Sequence, residues 1–142
     1  MKVVIIDGQG GKMGQMIIQR IKSTNLTCEL TAVGTNSIAT SAMLKAGVDA
    51  GATGENPIIV LSRVADVIIG PIGIIAADSL LGEITPAMAV AVGQSRAKKL
   101  LLPVNLCNNI IVGTGSLSMS KLISEAVGEL SKMIEQYRYK PE

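Results

Sequence analysis

The amino-acid sequence predicts an α/β fold in which residues 1–142 form one Rossmann-like, doubly wound domain with a mainly parallel sheet and three layers. Apolar runs at residues 3–6 and 65–69 are unbroken, which is typical of strands buried on both faces. These runs alternate with segments of helical period, and such alternation favours right-handed crossovers between parallel strands. Phe and Trp are absent, so Ile, Val, Leu, Met and Ala must form the core.

The first half of the chain carries clear element signals. A strand at residues 3–6 leads into a helix from about 12 to 22, whose apolar residues recur at spacings of three and four. The second strand, residues 26–33, alternates more strongly between polar and apolar residues, which favours a position nearer an edge. A polar turn at residues 34–37 then opens a short helix that ends at Gly47, a residue suited to a C-cap.

Residues 57–64 are compatible with either a helix or a strand. Asn56 and Pro57 resemble an N-cap and a first helical residue, whereas the apolar residues 58–61 favour a strand. We expect a short helix there. The elements predicted after it are, in order, a strand at 65–69, a helix at about 73–81, a helix at about 85–95, a strand at 99–104 and a short strand at 109–112.

A long amphipathic helix at about 118–138 is predicted to end the domain. Its apolar residues form one continuous stripe, and its charged residues lie off that stripe. The stripe is a docking face, either onto the domain's own sheet or onto a second subunit. The mean hydropathy of +0.45 is high for a small soluble domain. We therefore predict a homo-oligomer, and specifically a homodimer.

Charge and composition argue against several classes of function. The 13 basic residues nearly balance the 11 acidic ones and are scattered, so the concentrated positive face of a nucleic-acid-binding protein is not expected. There is no histidine, which removes the commonest general base and the commonest metal ligand. Cys28 and Cys107 form no paired motif, so no metal site is expected.

The predicted location is the cytoplasm. No secretory signal pattern follows Met1, and no apolar stretch reaches the roughly 18 residues that a membrane span needs. Two unpaired cysteines fit a reducing compartment. We expect no membrane partner.

The segment DGQGGKMG at residues 7–14 is the strongest functional signal. It lies between a strand and a helix, where many proteins bind a phosphate group. In doubly wound sheets, ligands bind outside the carboxyl ends of the strands, and small or polar residues also follow the other predicted strands. The predicted cofactor-binding residues are Asp7, Gly8, Gln9, Gly10, Gly11, Lys12, Met13, Gly14, Thr35, Asn36, Gly70, Pro71 and Asn105.

Each part of this loop has a physical role in phosphate binding. Gly8 and Gly10 lack a Cβ, so backbone N–H groups can approach a phosphate closely. The helix N-terminus adds unpaired donors and about half a positive charge, and Lys12 adds a point charge. The spacing matches neither G-x-G-x-x-G nor a Walker loop. A tight strand-to-helix turn that binds no ligand would also suit these residues.

Asp7 is unexpected in a phosphate loop because its carboxylate would repel the ligand. Three roles are open to it: bonding a ribose hydroxyl, holding a metal-bridged phosphate, or capping N–H groups of the loop itself. The dinucleotide fingerprint also expects an acidic residue at the tip of the second strand, where this chain has Thr35 and Asn36. Asn36 can still bond a ribose hydroxyl, but no Arg stands nearby for a 2′-phosphate. NAD(P) or another nucleotide remains the expected cofactor.

These observations predict a binding module that holds a nucleotide or a phosphorylated metabolite and acts as a sensor or regulator. The alternative is a small enzyme, either an NAD(P)-dependent oxidoreductase or a lyase or isomerase of phosphorylated metabolites. Its candidate catalytic groups are Asp7, Lys12, Asp78, Glu83 and Cys107. For Asp78 and Glu83 we expect surface or capping positions, and for Cys107 the position of a small buried hydrophobe.

The loop resembles the cofactor-binding start of dihydrodipicolinate reductases, in which Gly-x-x-Gly-[Lys/Arg]-Met-Gly follows the first strand. The matching residues are Gly8, Gly11, Lys12, Met13 and Gly14. That family's catalytic signature contains paired histidines, which this chain lacks, so the resemblance implies a nucleotide-binding loop and no reductase activity.

Two further resemblances extend beyond the loop. The segments IDGQGG, GTNSIATSAMLKAG, GATGENP, ADVIIGPIGI and LGEITPAMA are similar to a family of small uncharacterised bacterial proteins. That resemblance implies a Rossmann-like fold and a cytoplasmic bacterial protein. The VGTN turn is fainter evidence and resembles methylglyoxal-synthase-like domains, which bind phosphate.

Overall fold

The computed structural model describes residues 1–104 and 108–139, in which a parallel sheet is flanked by helices on both faces. Within these residues the sheet has five strands in the order β3-β2-β1-β4-β5, and every recorded pairing is parallel. The elements are β1 (Lys2–Asp7), α1 (Lys12–Ser23), β2 (Glu29–Gly34), α2 (Ser37–Lys45), β3 (Ala50–Thr53), α3 (Glu55–Ser62), β4 (Val67–Pro71), a 3₁₀ turn (Ile72–Ile75), α4 (Pro86–Gln94), β5 (Lys98–Leu102) and α5 (Met119–Arg138).

The strand order places the ends of β1 and β4 at the point where the direction of winding reverses. From β1 the chain winds outward through β2 to β3, and then returns to β4 on the other side of β1. Asp7 pairs with Gly34 at the carboxyl end of this central region. A crevice outside the strands is expected at such a reversal point, and it is where ligands bind in open α/β sheets. The glycine loop follows β1 directly into this position.

Two apolar clusters fill the space on either side of the sheet. One packs α1, α2 and α5 against the sheet, and its fully buried members include Ile17, Ile18 and Leu130. The other packs α3 and α4 against the opposite face, around Ile6, Ile58 and Ile68. This is the predicted three-layer arrangement. The apolar stripe of α5 therefore docks onto the domain's own sheet.

The helix over the ambiguous segment is confirmed, since α3 spans Glu55–Ser62. The cap at Thr85 is also confirmed, since its side chain accepts a hydrogen bond from the Met88 N–H at the start of α4. The cap expected at Asn56 is wrong, because α3 begins at Glu55 with Gly54 as its N-cap and no side-chain cap. Gly47 follows α2 with a φ of 94°, as a C-terminal glycine should. None of the helices in the described ranges is both long and apolar enough to cross a membrane.

Two predicted elements are wrong, and one strand is present that the sequence does not predict. The helix expected at residues 73–81 is only the 3₁₀ turn, followed by turns in which Asp78, Leu80 and Leu81 have φ of 55–63°. Left-handed residues cannot continue an α-helix. The strand expected at residues 109–112 is absent, and Ile110 there is 88% exposed. The strand β3 was not predicted, because Ala-Gly-Ala-Thr at an exposed sheet edge lacks an apolar pattern.

Candidate functional site

The glycine loop is a tight turn between β1 and α1. The Gly11 N–H donates to the Gly8 carbonyl over 2.9 Å, and the Gln15 N–H donates to the Gly11 carbonyl over 2.9 Å as the helix begins. Gln9 and Gly11 have φ of 50° and 70°. Two left-handed residues in so short a turn explain why the chain reverses direction within four residues.

Asp7 caps this loop from within. One carboxylate oxygen accepts the Gly8 N–H and the other accepts the Gly14 N–H, each over 2.8 Å, and the residue is buried. Burial raises the pKa of Asp7, and the neighbouring Glu83 carboxylate acts in the same direction, whereas hydrogen bonds from loop N–H groups lower it. Of the three roles open to Asp7, capping of the loop is the one that its contacts display.

Glu83 joins the loop to the tip of β2. Its Oε1 atom accepts the Gln9 N–H over 2.9 Å, the Thr35 hydroxyl over 2.7 Å and the Asn36 amide over 2.6 Å. The Asn36 amide also donates to the Gln9 carbonyl over 3.0 Å. Burial alone would raise the pKa of Glu83, but these hydrogen bonds outweigh it and lower the pKa below its ordinary value. The network connects three segments that are distant in sequence.

Packing within the chain explains three of the four loop glycines. A Cβ at Gly8 would lie 2.7 Å from the Thr35 hydroxyl, one at Gly11 would lie 2.6 Å from the Ala39 Cα, and one at Gly14 would lie 2.4 Å from the Met43 sulfur. Gly10 differs, because a Cβ there would meet nothing within 4 Å. Gly10 is also exposed. The protein's own packing therefore does not account for glycine at this position.

A cavity of about 360 Å³ lies against this loop. Within the described part of the chain, the N–H groups of Gly10 and Lys12 have no acceptor. Two residues from elsewhere, Leu80 and Met119, complete the wall. The full lining is Asp7, Gly8, Gln9, Gly10, Gly11, Lys12, Met13, Met16, Leu80 and Met119. The cavity thus combines unpaired backbone donors and one lysine with an apolar wall.

Comparison with protein families identifies a match over residues 2–135 to the family described as Domain of unknown function (DUF3842). The chain belongs to this family. The predicted membership of an uncharacterised family is therefore confirmed, whereas no match to dihydrodipicolinate reductases supports the resemblance of the loop. No curated protein matches this DUF3842 chain.

Among solved structures, this DUF3842 chain is similar to a dodecameric FMN-dependent Ubix-like decarboxylase from Escherichia coli O157:H7. The TM-score is 0.45 and the identity is 12%, with 95% of each chain covered. Similarity at this level does not identify a function.

The structure separates the predicted site residues of this DUF3842 domain. Residues 7–13 line the cavity, whereas Gly14 packs against Met43 and is not among the lining residues. Thr35 and Asn36 do not line the cavity either; both bond Glu83, and Asn36 also bonds the loop directly at the Gln9 carbonyl. Gly70 and Pro71 are buried at the end of β4 and are not among the lining residues. A Cβ at Gly70 would lie 2.4 Å from the Ile6 carbonyl oxygen, so close strand packing explains that glycine. Asn105 lies outside the described residues, as does Cys107.

Sequence reasoning missed the central position of Glu83 and the contribution of Leu80 and Met119. The sequence predicts a surface or capping position for Glu83, and its bond to the Gln9 N–H is indeed a capping contact. The sequence also predicts a helix that ends at residue 81, and this incorrect helix conceals the turn that brings Leu80 and Glu83 to the loop. In the described ranges, no cluster of three or more His, Cys, Asp or Glu residues is arranged to hold a metal ion.

Replacing Glu83 with alanine is expected to lower the free energy of unfolding by about 1–3 kcal/mol at neutral pH, because three donors lose their acceptor. The folded-state pKa of Glu83 lies below its ordinary value of 4.5, so its contribution is complete above that value. The difference between wild type and Glu83→Ala should therefore shrink as the pH falls through the lowered pKa. Urea denaturation at several pH values would measure it.

The matched control is Glu83→Gln, which keeps an acceptor oxygen but cannot titrate. Its loss of stability should be smaller than that of Glu83→Ala at neutral pH. Asp7 contributes a pH dependence of opposite sign, since its folded-state pKa is raised and its contribution is lost as the pH rises. Because the Glu83 carboxylate helps to raise the pKa of Asp7, the contribution of Asp7 cancels between the two variants, which both lack that carboxylate, and not between either variant and wild type. A wild-type advantage over Glu83→Ala that is undiminished at pH values below the lowered pKa of Glu83 would contradict the assignment.

Proposed function

We propose that this domain binds a nucleotide, or another phosphorylated small molecule, in the cavity at the glycine loop and acts as a sensor or regulatory module. The observation that carries the proposal is Gly10. It lines the cavity, it is open to solvent, and the chain's own packing gives no reason for a missing Cβ. A glycine of that kind suits the close approach of a ligand to the backbone.

The phosphate is expected beside Gly10 and Lys12. Their N–H groups are the loop donors without an acceptor in the described residues, and they lie at the start of a twelve-residue helix. The helix terminus and the exposed Lys12 side chain both favour negative charge. The Gly11 N–H already bonds the Gly8 carbonyl. The N–H groups of Gly8, Gln9 and Gly14 bond Asp7 or Glu83, whose carboxylates would repel a phosphate. The carboxylates of Asp7 and Glu83 repel an anion, and the free N–H groups of Gly10 and Lys12 attract it. We therefore expect the anion on the side of the turn where Gly10 and Lys12 lie.

The nucleoside is expected to extend toward Glu83 and the apolar wall. A dinucleotide-binding domain has an acidic residue at the tip of the second strand, which accepts the ribose hydroxyls. Here Glu83 supplies a carboxylate at that tip from a different loop, bonded to Thr35 and Asn36. Such a carboxylate favours a free ribose and disfavours a 2′-phosphate, so NAD-like ligands are expected over NADP-like ones. Met13, Met16 and Leu80 offer an adaptable apolar surface for a base.

The sensor role is supported by the state of the candidate catalytic groups. Both oxygens of Asp7 are engaged in loop hydrogen bonds, and Asp78 is exposed and does not line the cavity. Of the two candidates that line the cavity in the described part of the chain, Asp7 and Lys12, Lys12 is the one whose side chain is not already bonded to the loop. Enzymatic activity as an oxidoreductase, lyase or isomerase stays a prediction.

A thermal-shift screen tests the proposal with nucleotides and the matching nucleosides. A nucleotide at 100-fold over its Kd should add about 2.7 kcal/mol, which is a rise in Tm of roughly 5–10 °C for a domain of this size. Lys12→Ala should reduce the shift for the nucleotide but not for the nucleoside, because it removes only a phosphate contact. If no phosphorylated ligand shifts the Tm at millimolar concentration, the proposed function is wrong.

A further inference from the structure

The layer formed by α3 and α4 presents an unusually apolar surface to solvent. The α4 sequence PAMAVAVGQ contains no charged residue, and Glu55 is the sole charge in the α3 sequence ENPIIVLS. Val60, Val64 and Val90 are 45–53% exposed. A helix that is apolar on every side is normally covered on every side. The sheet covers one face of these two helices, which leaves the outer face without a partner among residues 1–104 and 108–139.

A groove of about 470 Å³ runs between the outer sides of α3 and α4. Ile59 of α3 and Arg63 at its C-cap line one side, and Ala87, Val90 and Ala91 line it from α4. The alanines are small enough to let another helix approach closely. The Ser95 hydroxyl donates to the Ser62 carbonyl over 2.5 Å and so ties the ends of the two helices together. The groove walls are therefore held in place before any partner arrives.

The charges at the two ends of α3, Glu55 in its first turn and Arg63 at its C-cap, are complementary to those of a second, antiparallel copy of the same helix. Glu55, Ile59 and Arg63 recur at a spacing of four residues and share one side of the helix. Glu55 and Arg63 are both exposed, and each lies about 6 Å along the axis from Ile59. A two-fold axis near Ile59 would place Glu55 of each copy opposite Arg63 of the other. Self-complementarity of this kind is what a two-fold interface requires.

We propose that the outer face of α3 and α4 is a homodimer interface in which α3 packs antiparallel against α3 of a second copy around Ile59. The apolar valines of α3 and α4 are covered there, and two symmetric Glu55–Arg63 pairs flank the contact. This proposal does not depend on ligand binding at the glycine loop.

Light scattering during size-exclusion chromatography tests the interface with the full chain. Wild type should have twice the 14.7 kDa mass of one chain at micromolar concentrations. Val90→Glu should raise the dissociation constant at least about tenfold, because a charge would be buried without a partner. The matched control is Ile38→Glu on α2, where an apolar residue is 69% exposed on the other layer. That variant should leave the dimer intact, and circular dichroism should show all variants folded.

Charge reversal tests the antiparallel geometry. Glu55→Arg and Arg63→Glu should each weaken the dimer by roughly threefold to tenfold, because like charges would meet in both symmetric pairs. The double variant should restore the wild-type dissociation constant. Glu55 also accepts a bond from the Thr85 hydroxyl, but loss of that bond would not be rescued by a change at Arg63. A monomeric wild type, a dimer that tolerates Val90→Glu, or a double variant without rescue would each overturn the proposal.

Discussion

Gly11→Ala is expected to lower the free energy of unfolding by about 2–5 kcal/mol, which is a large part of the stability of a small domain. The residue has a φ of 70°, a conformation that costs an L-residue with a Cβ roughly 1–2 kcal/mol. The added Cβ would also lie 2.6 Å from the Ala39 Cα and 2.7 Å from the Ala39 carbonyl oxygen. These are backbone atoms of α2, so the clash can be relieved only if α1 and α2 move apart.

Gly10→Ala is the matched control for Gly11→Ala in the neighbouring position of the same loop. A Cβ at Gly10 meets nothing within 4 Å, and its φ is outside the left-handed region. The control should change stability by less than about 0.5 kcal/mol, as is usual for surface positions. Urea denaturation of both variants measures the difference directly. Equal stabilities for the two variants would show that the turn does not have the geometry described.

Gly10→Val is expected to weaken binding of a phosphorylated ligand by about 100-fold or more while the domain stays folded. If a phosphate lies against the Gly10 N–H, a branched side chain occupies the space of the ligand, and the loss of contact with two N–H donors and Lys12 exceeds 2.7 kcal/mol. Nothing in the fold opposes the valine, because the position is open. Calorimetric titration of the best ligand from the thermal-shift screen measures the loss.

Gly14→Val serves as the contrasting variant for this experiment. Its Cβ would lie 2.4 Å from the sulfur of the fully buried Met43, so overpacking should cost on the order of 1–3 kcal/mol. Any apparent loss of ligand affinity in Gly14→Val should then be explained by the smaller fraction of folded protein. If Gly10→Val leaves the affinity unchanged, the phosphate position is wrong, and the site would have to be sought around Thr35 and Asn36.

The parts of the fold that the sequence predicted are those dictated by burial on both faces or by a local cap. The runs at β1 and β4 have no polar interruption, and α5 has one unbroken apolar stripe, so their patterns do not depend on distant contacts. Thr85 as N-cap and Pro86 as first helical residue likewise predict the start of α4 from local sequence alone. By contrast, β3 is held by long-range contacts, namely pairing with β2 and hydrogen bonds to Thr40 of α2, and its residues carry no apolar signal of their own.

The sequence predicts the part of the candidate site that the glycine loop forms, but not the part that comes from the turn before Glu83. The glycine loop is continuous in sequence, and its motif identified residues 7–13 of the cavity wall. Glu83 comes from 74 residues farther along the chain than Gln9, whose N–H it accepts. Its approach depends on left-handed residues at Asp78, Leu80 and Leu81, conformations that a non-glycine sequence does not indicate. A long-range hydrogen bond from an irregular turn produces no periodic pattern in the sequence, so the sequence alone could not predict it.

The two carboxylates that hold the glycine loop have a consequence for the thermodynamics of recognition. Asp7 and Glu83 already accept hydrogen bonds from the N–H groups of Gly8, Gln9 and Gly14. These bonds fix the conformation of the loop, so a ligand would not have to order it on binding. Binding then costs little conformational entropy at the loop. The conformation of the loop would therefore differ little between the free and the ligand-bound domain, and a change in the loop could not signal that a ligand is bound. A signal would instead have to start at the opposite wall, where Leu80 precedes Glu83 in a strained turn and Met119 begins the longest helix of the described chain.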